Sequence, residues 1–126
     1  MFSFNSSTEF INAINAGQNA FIDSQRALSS GSSADLPPAS EELGKAIELL
    51  QHVPSLSKEA DDLSKDLLSI LQKQYERVEE VRRTGRTRLD TFDASPLSQR
   101  FQDNDNRLKA WVRREGAKYR IRETQN

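Results

Sequence analysis

The amino-acid sequence predicts an all-α protein, a small bundle of three to five helices with one long central helix and coiled-coil-like packing. Apolar residues recur at spacings of three and four along most of the chain. Serines precede several of these runs, where their side chains can cap a helix. Apart from a short segment near the C-terminus, no stretch alternates polar and apolar residues as a strand does. The length of 126 residues suits a single domain.

The first helix is predicted within residues 1–28, beginning near Ser6. Ser6 and Glu9 have the spacing of a capping box, in which the serine oxygen and the glutamate satisfy free backbone amides. An apolar stripe follows, and its members are Phe10, Ile14, Phe21 and Leu28. Gly17 lies in this stripe and weakens the helix by roughly 1 kcal/mol relative to Ala, so we expect either close helix packing or a tolerated soft point, and not a functional hinge.

Residues 29–40 are predicted to form a linker, because they combine Gly and Ser with a Pro-Pro pair. Ser40 is the expected cap of a second helix, which Pro54 ends. The bundle body is assigned to residues 41–116 and a basic tail to residues 117–126.

The long third helix has the strongest periodicity and is predicted to begin after Ser55 or Ser57. Its stripe consists of Leu56, Ala60, Leu63, Leu67, Ile70, Gln74, Val78 and Val81. Additional apolar neighbours widen the stripe, which favours a bundle over a dimeric coiled coil. Gly85 is a possible stop, although the pattern also allows the helix to continue beyond it.

A last helix is predicted after Pro96, which suits a first helical turn. Its apolar residues are Leu97, Phe101, Leu108, Trp111 and Val112. An interruption at residues 103–106 is an alternative, because Asp and Asn there can cap a shorter helix. Gly116 is the expected end.

The chain offers few groups for catalysis. It has no cysteine, and His52 is its single histidine, placed where it caps a helix or is exposed. Carboxylates one helical turn apart, such as Asp62 and Asp66, lie among lysines and arginines and read as a solvated face. No phosphate-binding loop or dinucleotide signature is present. We expect no catalytic residue, metal, cofactor or small-molecule substrate.

The lengths of the apolar runs indicate where in the cell the protein is expected. These runs are two or three residues long, far below the roughly 20 needed to span a bilayer, and the N-terminus lacks the features of a secretory signal. Together with the absence of cysteine, these features predict an intracellular protein, cytoplasmic or nuclear, with no membrane span.

Charge is divided along the chain. Residues 1–72 hold 4 basic and 10 acidic side chains, whereas residues 73–126 hold 14 basic and 9 acidic ones. The second half contains two basic clusters, formed by Arg82, Arg83, Arg86 and Arg88 and by Arg107, Lys109, Arg113, Arg114, Lys118, Arg120 and Arg122. Guanidinium groups bind both phosphates and carboxylates, so these clusters suit nucleic acid or an acidic protein.

The preferred interpretation is a non-enzymatic helical interaction or assembly subunit, either a homo-oligomer or part of a hetero-complex. The candidate interface is Phe10, Ile14, Phe21, Leu63, Leu67, Ile70, Val78 and Val81, any of which can instead belong to the intramolecular core. The alternative is a nucleic-acid-binding protein of the nucleocapsid or packaging type. We rank it second because the acidic N-terminal half would repel phosphate unless it lies on the far side of the bundle. The sequence pI near 5.9 and the absence of a reading motif also count against it.

Overall fold

A computed structural model describes residues 4–30, 32–85, 95–119 and 121. These residues contain four α-helices, two short 3-10 turns and no strand, so the predicted all-α bundle is confirmed. The helices are α1 (Phe4–Ser30), α2 (Leu36–Gln51), α3 (Lys58–Thr84) and α4 (Ser95–Glu115), and the turns are Ser33–Asp35 and Gly116–Tyr119. Helices α1 and α3 are equally long, at 27 residues each.

Helices α1 and α3 form the centre of the bundle, with α2 packed on one side of the pair and α4 on the other. On α1, Gln18 donates to Asp105 and Gln25 donates to Ser98, so α1 and α4 run antiparallel. Helix α2 contacts α3 on the side away from α4, where Ser40 donates a hydrogen bond to Glu79. Helices α2 and α4 therefore lie on opposite sides of the bundle.

The start of α2 differs from the prediction. The helix begins at Leu36, inside the segment assigned as a linker, with Pro37 and Pro38 in its first turn. Proline is tolerated there because first-turn amides have no intrahelical acceptor. The prediction that Ser40 caps the helix is wrong, since Ser40 lies buried within α2.

The ends of α3 follow local sequence signals. Ser57 Oγ accepts from the Ala60 amide at 3.1 Å, which closes the first turn. Gly85 has φ of 72° and its amide donates to the Val81 carbonyl at 2.7 Å, so the helix stops there. Helix α4 is not interrupted at residues 103–106, because Asn104 is buried and its amide donates to the Leu63 carbonyl.

One apolar cluster fills the interior and joins all four helices. Aromatic contacts attach α4 to α1: the Phe21 and Phe101 rings stack at 4.3 Å, and the Phe10 and Trp111 rings are 5.8 Å apart. Trp111 also stacks on Tyr119 at 5.5 Å. Trp111 is 1% exposed and is therefore part of the core.

Candidate interaction surfaces

The eight residues predicted as a partner interface lie inside the single chain. They are Phe10, Ile14, Phe21, Leu63, Leu67, Ile70, Val78 and Val81, with exposures between 0 and 7%. The sequence left both roles open, and the tertiary structure places all eight in the intramolecular core. The stripes that would have faced a partner are covered by the chain's own helices.

The second basic cluster meets acidic residues of α3. Asp66 accepts from Arg100 Nη2 at 3.0 Å, from Arg107 Nη2 at 3.1 Å and from Asn104 Nδ2 at 3.2 Å. The three donors lie on one edge of α4, and Asp66 is 28% exposed. This carboxylate holds α4 against α3 and offsets the charge of two arginines.

Three further basic residues of the cluster also have acidic partners. Arg114 Nη2 lies 2.5 Å from Glu59 Oε1, and this hydrogen bond raises the pKa of Arg114. Lys118 lies 2.8 Å from Glu115, whose pKa is lowered mainly by the hydrogen bond from Lys118. Lys109 contacts Asp105 at 3.0 Å. Phosphate contacts at these positions would compete with existing pairs.

The remaining predicted basic residues are dispersed. Arg82 pairs with Glu79 at 2.9 Å and Arg83 is exposed at the end of α3, while Arg113 is exposed on α4 and also has an interaction partner. Four others lie outside the described residues, and they are Arg86, Arg88, Arg120 and Arg122. Within the described residues the arginines do not form one continuous groove.

Charge is nevertheless separated across the bundle. Residues 4–52, here called the acidic side, hold six acidic and two basic side chains. Residues 95–119, here called the basic side, hold six basic and three acidic ones. Because α2 and α4 pack on opposite sides of α1 and α3, the acidic residues of α2 lie away from the basic residues of α4.

An open groove of about 600 Å³ lies between α1 and the C-terminal half of α2. We call it the α1–α2 groove, and its lining is Glu9, Ala13, Lys45, Glu48, Leu49, His52, Val53 and Pro54. Ala13 is buried at its floor, and Leu49 is 50% exposed. Leu49 precedes the buried Leu50 of α2, and these two adjacent leucines do not both face the core, because neighbouring residues on a helix point in different directions.

The charges at the rim of this groove are unequal. Glu9 and Glu48 are exposed and have no ion-pair partner among the described residues, whereas Lys45 lies 3.6 Å from Glu41. His52 is exposed at the end of α2, in agreement with the capping or exposed role expected of it. The rim therefore carries an unpaired negative charge beside an apolar floor.

A pair of carboxyl groups lies near the other end of the same helix pair. Glu42 of α2 and Asp23 of α1 share a hydrogen bond and line an open groove of about 340 Å³. Burial, followed by the hydrogen bond and the repulsion from Asp23, raises the pKa of Glu42 to about 7. The hydrogen bond between the two carboxyl groups connects α1 to α2 at this point.

Gln74 forms a buried polar layer between α1 and α3. Its Nε2 donates to Ser24 Oγ at 2.9 Å and to Gln25 Oε1 at 2.8 Å, while its own Oε1 is buried without a partner. Gln25 extends the layer to Ser98 of α4 at 3.4 Å. An unsatisfied buried acceptor costs about 1–3 kcal/mol.

In the described part of the chain, no three His, Cys, Asp or Glu side chains are grouped so as to hold a metal ion. None of the helices in that part combines the length and apolar character needed to cross a membrane. Comparisons with protein-family models, with curated proteins and with solved structures find no match to this chain.

Proposed function

We propose that the protein is a non-enzymatic helical interaction or assembly subunit that associates through its oppositely charged sides. The separation of charge across the bundle carries this proposal. The acidic side has an excess of four negative charges and the basic side an excess of three positive ones, with His52 neutral. Complementary potentials steer association and select its orientation.

Contact between the basic side of one copy and the acidic side of another is heterologous. Such contacts generate rings or filaments when copies are identical, and an ordered complex when the partner differs. In this proposal α3 is the central helix and packs in a coiled-coil-like manner, in keeping with its three-four spacing.

The proposal is tested by light scattering after gel filtration, at about 50 mM and about 500 mM salt. We expect a mass above that of the monomer in low salt and a monomer in high salt. Lys109→Glu with Arg113→Glu reverses the net charge of the basic side, and Glu41→Lys with Glu48→Lys neutralises that of the acidic side. Each variant alone is expected to remain monomeric, and mixing the two restores association.

The matched control reverses two exposed lysines of α3, Lys65→Glu with Lys73→Glu, which lie on neither side. The control is expected to behave as the unaltered protein does. A monomer at high micromolar concentration in low salt, for the unaltered protein, contradicts self-association and restricts the proposal to a hetero-complex. Equal dissociation by the control shows that net charge, and not the two sides, governs assembly.

A second candidate is binding of a nucleic-acid backbone at the basic side. The observation in its favour is that α2 packs opposite α4, so a strand docked at α4 does not face the acidic residues of α2. Against it, the described basic residues of α4 have partners within the chain. Trp111 is also too buried to stack on a base.

This candidate predicts binding of single-stranded RNA that weakens steeply with salt, because each neutralised phosphate releases counterions. Arg107→Ala with Arg114→Ala is expected to flatten the logarithmic salt dependence by roughly 0.7 to 0.9 per lost contact. An absence of binding in about 50 mM salt eliminates it.

A further inference from the structure

The α1–α2 groove combines apolar surface with exposed carboxylates, which is a feature of a protein-binding site. We propose that this groove binds a basic amphipathic helix of another protein, with an apolar side chain of that helix anchored beside Leu49. The groove lies within the acidic side, but its occupant is a helix of another protein and not the basic side of a second copy. The inference depends on the shape, apolar floor and unpaired charges of the groove.

The shape suits an anchor side chain. A volume of about 600 Å³ lies within the range of roughly 300–1,000 Å³ that is usual for binding clefts. Ala13 forms the floor, and Val53 and Pro54 close the end where the chain leaves α2. The exposed half of Leu49 provides apolar surface that a second apolar side chain can cover. A helix that lies in such a groove uses residues spaced by three and four as anchors.

The charges select a basic helix. Glu9 and Glu48 stand on either side of the groove, one on each helix, and neither has an ion-pair partner within the described residues. Lys45, the basic residue of the rim, is engaged by Glu41. Lysine or arginine flanking the apolar anchor would pair with the two free carboxylates, whereas an acidic helix would meet repulsion.

A second copy of the chain does not supply this helix from its described surface. Between Gln99 and Arg114, the exposed residues of α4 are polar, charged or small, among them Gln99, Gln102, Asn106, Ala110 and Arg113. The other large exposed apolar residues in the described ranges are Ile22 and Tyr75. Both stand singly, Ile22 next to Asp23 and Tyr75 next to Glu76, so neither forms a basic amphipathic face.

The test uses a labelled synthetic helical peptide of leucine and lysine, with the leucines on one face, and measures its fluorescence anisotropy with the full chain. We expect saturable one-to-one binding that weakens with salt. Leu49→Ser removes the apolar contact and is expected to weaken binding about tenfold. Glu9→Gln with Glu48→Gln removes the two charges and is expected to weaken binding about fivefold in low salt, with a flatter salt dependence.

Matched controls make the same changes on α3. Tyr75→Ser removes an exposed apolar side chain, and Glu76→Gln with Glu80→Gln removes two exposed charges. These variants are expected to bind within twofold of the unaltered protein, and a leucine-glutamate peptide is expected not to bind. Circular dichroism verifies that every variant is folded.

Two results overturn the inference: an absence of saturable binding by the unaltered protein, or equal weakening by the α3 controls. Light scattering at the same protein concentration shows whether the protein is a monomer or an oligomer. A failure of peptide binding can therefore be distinguished from a failure of self-association.

Discussion

The two glycines inside helices α1 and α2 provide a matched test of the packing described above. We consider the substitutions Gly17→Ala and Gly44→Ala. Since Ala has the higher helix propensity, each change alone favours the helix by about 0.8–1 kcal/mol. A methyl group at Gly44 meets no atom within 4 Å, so we expect Gly44→Ala to raise the free energy of unfolding by about 1 kcal/mol. Gly17→Ala gains the same helix propensity, but its methyl group would contact core side chains.

At Gly17 the added methyl carbon would lie 3.0 Å from Leu67 Cδ2, 3.1 Å from Leu50 Cδ1 and 3.2 Å from Leu71 Cδ1. Carbon atoms pack best at about 3.5–4.0 Å, so three leucine side chains must shift at once. Overpacking of this kind costs about 1–3 kcal/mol. The net result for Gly17→Ala is a loss of about 0–2 kcal/mol, and the two variants differ by about 1–3 kcal/mol.

Urea denaturation followed by circular dichroism measures both values, with two-state unfolding checked by a second probe. A difference of this size corresponds to several degrees in Tm for a domain of this length. If Gly17→Ala stabilises the protein as much as Gly44→Ala does, the close approach of α1 to α2 and α3 at Gly17 is refuted.

Four further predictions concern other contacts. The free energy of unfolding should fall as pH rises from about 4.5 to 7, because folded Glu42, with its pKa raised to about 7 beside Asp23, holds its proton more tightly than the unfolded chain. Glu42→Gln should remove about 1 kcal/mol of this difference after allowance for solvent screening, and an unchanged pH profile contradicts the assignment. Gln74→Met should leave the free energy of unfolding unchanged or raise it by up to about 1 kcal/mol, since it removes an unpaired buried acceptor. A clear decrease in the free energy of unfolding contradicts this prediction. Asp66→Ala should cost about 1–2 kcal/mol, and less in high salt, where the ion pairs are screened. Trp111, the single tryptophan, should show the emission of a buried indole and no quenching by RNA in a fluorescence titration; strong quenching contradicts its burial.

Helix type and several helix ends were determined by short-range signals in the sequence. The three-four spacing located the apolar faces, and even Gln74 was placed correctly on the stripe of α3. Ser57 caps the start of that helix and Gly85 ends it in a left-handed conformation. Both effects involve backbone groups within one helical turn, so the local sequence predicts them. The start of α2 was missed because proline breaks a helix in its interior and suits its first turn, and local composition does not distinguish the two positions.

The candidate surfaces required the tertiary structure. An apolar stripe has the same spacing whether it packs against its own chain or a partner, so the sequence could not assign Phe10 or Leu67 to the core. Pairing of Arg107 with Asp66 joins residues 41 positions apart, and the outward face of Leu49 depends on the angle between α1 and α2. The sequence by itself determined the helices and the division of charge along the chain. Only the packing of α2 and α4 on opposite sides of α1 and α3 turned that division into two opposed surfaces, because long-range contacts decide which faces remain in water.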